Sequence, residues 1–185
     1  MRGREWEFWI DSAKLPSPNK VVIESYERRV ASEPPSHDTP ETASAFDSQG
    51  CVALLSCVKS KQNAACRAEH MYTSSLFRKM LAYARTLNPK AIYILSARYG
   101  LLALDEKIEP YEKTLKSMSP HHKSDWATGV IRDLRQKCDL AHDRFVILAG
   151  EGYRKGLVSS IEHYSVPMDG LSFGQQLRWL GENTP

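Results

Sequence analysis

Four polar stretches carry most of the chemistry this sequence offers. SCVKSK (56–61) sets the small residues Ser56 and Cys57 ahead of two cations, Lys59 and Lys61. Small side chains let a ligand approach the backbone, and ammonium groups beside backbone N–H groups suit a phosphate. The same lysines would serve equally as solvated surface groups, and the Gly-rich form of a nucleotide-binding loop is missing. SARYGLLALDEKIEPYEKTL (96–115) brings together Ser96, Arg98, Tyr99, Gly100 and Tyr111 with four acids, Asp105, Glu106, Glu109 and Glu112. Arginine pairs with a phosphate or an acid, tyrosine stacks on a planar ring, and glycine permits a tight turn. Glu109 lies between Ile108 and Pro110-Tyr111. Apolar neighbours raise a carboxyl pKa and a nearby arginine lowers it, so Glu109 is the leading candidate for a catalytic acid or base. Asp105 is the reserve, and the alternative role for Glu109 is to brace its loop.

AGEGYRKG (149–156) places Gly150 ahead of Tyr153 at the start of an expected helix, where an anion would be favoured, although Glu151 argues against a tight phosphate cradle. PMDGLSFGQQLRWL (167–180) holds Gln175, Gln176 and Arg178 near another helix start. Glutamines either read the edge of a base or cap local backbone groups. Cations for phosphate, tyrosines for stacking, amides for edges and an acid for water together form an inventory shaped for a nucleotide or a nucleic acid.

The elements that must position these groups are legible in the hydropathy. CVALLS (51–56), AIYILS (91–96) and FVILAG (145–150) are short, nearly continuous apolar runs, the mark of strands covered on both faces. Between them, apolar residues recur at helical spacing over 74–87, behind Ser74 or Ser75, and over 124–138, behind Ser124. A third helix is predicted over 152–163, a short strand over 164–168 and a last helix over 172–181. Alternating strands and helices predict a three-layer α/β sandwich with a small, mostly parallel sheet of about four strands. Its ligand is expected beyond the carboxyl ends of those strands. Ahead of this domain (49–185), the runs EWEFWI and KVVIESY predict a β-hairpin extension over 1–30, and the Pro/Ser/Thr-rich segment 31–48 reads as a linker.

Of 185 residues, 42% are hydrophobic and 25% charged, as in an ordinary globular protein, and no apolar run is long enough to span a bilayer. No membrane partner is expected, and the chain reads as cytoplasmic. Cys51, Cys57, Cys66 and Cys138 lack the paired spacing of a zinc site or a disulfide framework, so free thiols are expected, and the nucleobase chemistry considered below needs no metal or organic cofactor. Residues 1–48 hold 6 Lys/Arg against 9 Asp/Glu, whereas 49–185 hold 19 against 13. The moderately basic body suits a phosphate-bearing partner.

The blocks LLSCVKSK, AEHMYTSSLFRKMLAYA, IYILSARYGLLALDEKIEPYEKTL, VILAGEGYRKGL and PMDGLSFGQQLRWL resemble a bacterial family of small domains of unknown function. That family is similar to the YaaA peroxide-stress DNA-binding proteins. The resemblance covers about residues 51–181 and includes Ser56, Lys59, Tyr72, Ser96, Tyr99, Glu109, Tyr111, Gly150 and Tyr153. It implies an α/β fold and a nucleic-acid-linked role. A looser likeness to uracil-DNA-glycosylase-like sandwiches concerns the fold. Two functions are therefore expected. One is a DNA N-glycosidase that removes a nucleobase, modified or not, in repair or in defence against phage DNA. In it Glu109 or Asp105 activates water or stabilises the sugar cation, Tyr99 or Tyr111 stacks the base, and Lys59, Lys61 and Arg98 hold phosphates. The other is a module that binds single- or double-stranded DNA, or a nucleotide, without chemistry.

Overall fold

The apolar runs of the sequence become the inner strands of one five-stranded sheet. A computed structural model describes residues 50–185, so the expected hairpin (1–30) and linker (31–48) lie outside the described residues. The strands are β1 (Val52–Ser56), β3 (Ala91–Ser96), β4 (Gly100–Ala103), β6 (Arg144–Leu148) and β7 (His163–Ser165), in spatial order β4-β3-β1-β6-β7. β1 runs parallel to both β3 and β6, β6 runs parallel to β7, and only β4 is antiparallel. A second, two-stranded antiparallel sheet joins β2 (Cys66–Arg67) to β5 (Lys107–Ile108).

Strand periodicity sorts the core into two layers. Ala53 and Leu55 of β1 and Val146 and Leu148 of β6 face one side with Phe77, Met80 and Ala84 of helix α2 (Ser75–Thr86). Val52, Leu54, Phe145 and Ile147 face the other, against Val130, Ile131 and Leu134 of helix α3 (Pro120–Arg135). Burying each such side chain is worth about 1.5–3 kcal/mol, which explains why the central runs are apolar at every position rather than at alternate ones. A short helix α1 (Ala68–Met71) precedes α2, and helix α4 (Glu151–Arg154) follows β6. The C-terminal helix α5 (Phe173–Glu182) joins the α2 layer, where Trp179 meets Tyr83 edge-on at 4.9 Å.

Three departures from the sequence reading have physical causes. Helix α3 begins at Pro120, not after Ser124: Ser119 caps it, its hydroxyl accepting from the N–H of His122 at 3.3 Å, and Pro120 occupies the first turn where no N–H is needed. The helix expected over 152–163 is only α4 followed by a 3₁₀ turn, Val158–Ser160. Gly152 and Gly156 both disfavour helix, and Gly156 is pressed so close to α3 that a Cβ there would lie 2.8 Å from the Cβ of Ala127. The segment after β3, expected to be a polar loop throughout, first turns back through Gly100 (φ +76°) and adds β4 to the sheet edge. Leu101 and Leu102 then bury on opposite faces.

The contact at Gly156 makes a test of this packing. Gly156→Ala should lower stability by about 1–3 kcal/mol through overpacking. In an Ala127→Gly background the same substitution should cost clearly less, as read by urea denaturation of all four proteins. Equal costs in both backgrounds would show that the two residues do not press on each other.

Candidate functional site

The carboxyl ends of β1, β3 and β6 are stitched together by buried hydroxyl and thiol groups. Ser96, the last residue of β3, is fully buried. Its Oγ lies 2.8 Å from the hydroxyl of Tyr111 and accepts the backbone N–H of Tyr99 at 3.1 Å. The Tyr111 hydroxyl in turn lies 3.0 Å from that of Tyr72. From α3, the indole N–H of Trp126 donates to the carbonyl of Ser96 at 2.8 Å. Trp126 also meets Tyr153 edge-on at 5.6 Å, and the Tyr153 hydroxyl lies 3.0 Å from Sγ of Cys57, just past β1. Burial pushes the Tyr72 phenol up to about 12 and raises those of Tyr111 and Tyr153 as well. These groups are neutral donors and acceptors that hold the loops in place.

Several residues singled out in the sequence belong to this scaffold. Tyr111 is 5% exposed, with the Lys61 ammonium 4.4 Å from its ring centre and Tyr99 packed edge-on at 5.4 Å. No face of Tyr111 is open to stack a base. Lys61 also donates to the carbonyl of Lys59 at 3.1 Å, and the Arg98 guanidinium lies 5.5 Å from the ring centre of Tyr99. Gln175 completes a capping box with Ser172, its Oε1 accepting from that residue's N–H at 2.9 Å and hydroxyl at 2.7 Å. Arg178 forms an exposed helical ion pair with Glu182 at 2.8 Å. Gly100 serves the turn into β4.

The two nominated acids are placed differently, Asp105 away from the strand ends and Glu109 beside them through its backbone. Ala103 pairs with Tyr93, so by Asp105 the chain has run back toward the amino end of β3, where Asp105 sits exposed in a turn. Glu109 returns toward Tyr99, but it is the backbone carbonyl of Glu109 that accepts the Tyr99 hydroxyl, at 3.2 Å, and the residue is exposed.

Two concavities open beyond β6, and Gly150 lines both. One, of about 310 Å³, lies at the ends of β1, β6 and β7 on the α2 side. Here the connections from β1 and β6 lead to opposite sides of the sheet, the switch point where open α/β sheets bind ligands. Ser56, Gly150 and Gln176, all singled out in the sequence, line it together with Glu151, Arg154 and Asp169. The second, of about 1180 Å³, is a groove between α3 and the chain around α4. Five of its lining side chains are basic, Lys116, Lys123, Arg132, Arg135 and Lys155, and none is acidic. Arg132 is paired with its neighbour Asp133 at 3.0 Å. Trp126, Ala127, Ile131 and Tyr153 supply an apolar and aromatic floor. The only trace of the groove in the sequence is the overall positive charge of the body, because its cations come from separate segments. Among the described residues no three His, Cys, Asp or Glu side chains gather as a metal site, and no helix is long and apolar enough to cross a membrane.

The buried phenols make stability sensitive to alkali. Unfolded tyrosines ionise near 10.0, whereas Tyr72 in the fold holds its proton to about 12. In that window the unfolded chain binds fewer protons than the folded one, so stability present below pH 10.0 falls as pH rises toward about 12. Urea midpoints should show this decline, and it should be shallower in Tyr72→Phe; an equally steep decline in that variant would contradict the assignment.

Residues 52–182 match DUF6884, a family of unknown function, a span that takes in every element from β1 to α5. No curated protein and no solved structure matches the chain, and nothing in the comparisons ties it to YaaA proteins or to uracil-DNA-glycosylase-like folds. With the matched span enclosing the sheet, both concavities and the network at the strand ends, this chain belongs to the DUF6884 family.

Proposed function

We propose that this domain binds DNA, with the sugar–phosphate backbone lying in the groove between α3 and α4. The observation that carries this reading is the groove's composition: five cations, no acid, and a floor of Trp126, Tyr153, Ala127 and Ile131. Cationic rims over aromatic surface suit a strand whose phosphates are held at the edges and whose bases rest on the floor. The groove cations should dominate binding. Lys123→Ala, Arg135→Ala and Lys155→Ala should each weaken DNA binding and reduce the slope of log affinity against log salt by about one. Lys59→Ala, outside the groove, should change the slope less. The reverse order would move the interface to the loop after β1.

A second reading, DNA N-glycosidase activity, is favoured by the crevice at the switch point, which holds a carboxylate, Glu151, next to the Arg154–Asp169 ion pair and adjoins the groove at Gly150. In that reaction water adds to the sugar C1′, the C1′–N bond breaks, and the base leaves with the bonding electrons and takes up a proton. The carboxylate would accept the proton of the attacking water or stabilise the cationic sugar. Modified and unmodified DNA incubated with the protein and heated in alkali should break at abasic sites. Glu151→Gln should slow that by on the order of 100-fold or more, and Glu109→Gln separates the acid of the crevice from the acid of the loop. Intact strands with the unaltered protein would leave binding without chemistry.

A further inference from the structure

The groove between α3 and the chain around α4 runs the length of a helix. Pro120, Lys123, Ala127, Ile131 and Arg135 line it at intervals of three or four residues, so it follows one face of α3 from end to end. At about 1.5 Å of rise per residue, Lys123 and Arg135 stand roughly 18 Å apart along the axis. Lys155 comes from the segment on the other side, and Lys116 from the chain that leads into α3. The cations are strung along the groove and not gathered at one point. That distribution suits a chain of phosphates better than a single phosphate group.

The floor is aromatic, and its polar atoms are already engaged inside the protein. The Trp126 indole N–H donates to the carbonyl of Ser96 at 2.8 Å, and the Tyr153 hydroxyl lies 3.0 Å from Sγ of Cys57. Both partners are buried. What Trp126 and Tyr153 offer the groove is therefore carbon surface. The two rings meet at 84°, so only one of them can lie parallel to a given base. Ala127 and Ile131 extend the same apolar strip. A double helix stacks its bases on one another behind its phosphates, so an apolar floor beneath cations gains nothing from it. An unpaired strand exposes base faces, and a base laid on such a floor strengthens binding without having its edge read. We propose that the groove selects single-stranded DNA over duplex, holding about four nucleotides with one base stacked on the Trp126–Tyr153 pair and phosphates along Lys123, Arg135 and Lys155. The inference rests on the reading of the groove as a DNA site and adds which form of DNA it takes.

The test uses the full chain and fluorescently labelled DNA, with binding read by anisotropy. Affinity for oligothymidylates should climb steeply with length up to about four nucleotides and then flatten. At a length where a duplex is stable, blunt duplex DNA should bind at least about tenfold more weakly than the single strand. An abasic strand, which keeps every phosphate and carries no bases, should also bind about tenfold more weakly than oligothymidylate of equal length. Its slope of log affinity against log salt should nevertheless be the same, because the phosphate contacts are unchanged. Trp126→Leu or Tyr153→Leu, whichever ring carries the base, should narrow the gap between the base-bearing and abasic strands, a ratio that a partial loss of folded protein would not change. Equal binding of duplex and single strand, equal binding of abasic and base-bearing strands, or a gap that neither variant narrows would each overturn the proposal while leaving a groove that binds DNA. Binding of no DNA in any form would remove the groove reading and this inference with it.

Discussion

One buried hydroxyl organises the working end of this domain. Ser96 closes β3 with no solvent access, so every hydrogen-bonding group it carries must find a partner inside the protein. Its Oγ takes the Tyr99 N–H and meets the Tyr111 hydroxyl, and its carbonyl takes the Trp126 indole. Those partners come from the turn after β3, the returning chain after β5, and helix α3. A single residue, through its hydroxyl and its carbonyl, therefore ties three segments to the carboxyl edge of the sheet. Leaving one of its partners unpaired would cost about 1–3 kcal/mol, more than a typical hydrogen bond contributes net, so the network holds its members in one arrangement. The Cys57–Tyr153 contact repeats the device across β1 and α4.

That arrangement redistributes the polar residues between scaffold and surface. Tyr111, Lys61 and Tyr99 occupy one another, and their aromatic and cationic surfaces are used internally. Gly100 reverses the chain into β4, which carries Asp105 toward the far end of β3. The loop richest in chemistry along the sequence thus spends much of it on structure. The open concavities lie instead around β6, where glycines at 150, 152 and 156 keep the chain short of a full helix and leave room on both sides of the sheet.

Electrostatics follows from the same geometry. Acids elsewhere in the body are drawn into local pairs, Glu69 with Arg85, Asp143 with Lys90, and Glu182 with Arg178. Among the described residues, the groove cations between α3 and α4 form no such ion pair apart from Arg132 with Asp133. A cleft lined by one sign of charge with apolar walls focuses its field outward and raises the local concentration of an oppositely charged partner.

What the sequence determined by itself was the three inner strands and the layers that cover them. Continuous apolar runs at β1, β3 and β6 admit only strands buried on both faces, and the helical spacing of Phe77, Met80, Leu81 and Ala84 admits only a helix lying on them. Ser56, Cys57, Ser96 and Gly150 were also legible as strand-end residues, because a strand's end is a local property of the chain. The tertiary structure alone decided the rest. Both glutamines bond local backbone groups, Gln175 at Ser172 and Gln176 at the carbonyl of Leu171, and only the position of α5 makes Gln176 alone line a cavity as well. Whether a tyrosine stacks or braces depends on what a distant segment lays against it, as the loop after β1 lays Lys61 over Tyr111. The five groove cations are spread from Lys116 to Lys155 and form one surface only when α3 and α4 come together. Periodicity encodes which face of an element is buried; which side chains from distant elements share a cavity is set by crossing, register and chain reversal, and short-range spacing carries no record of those.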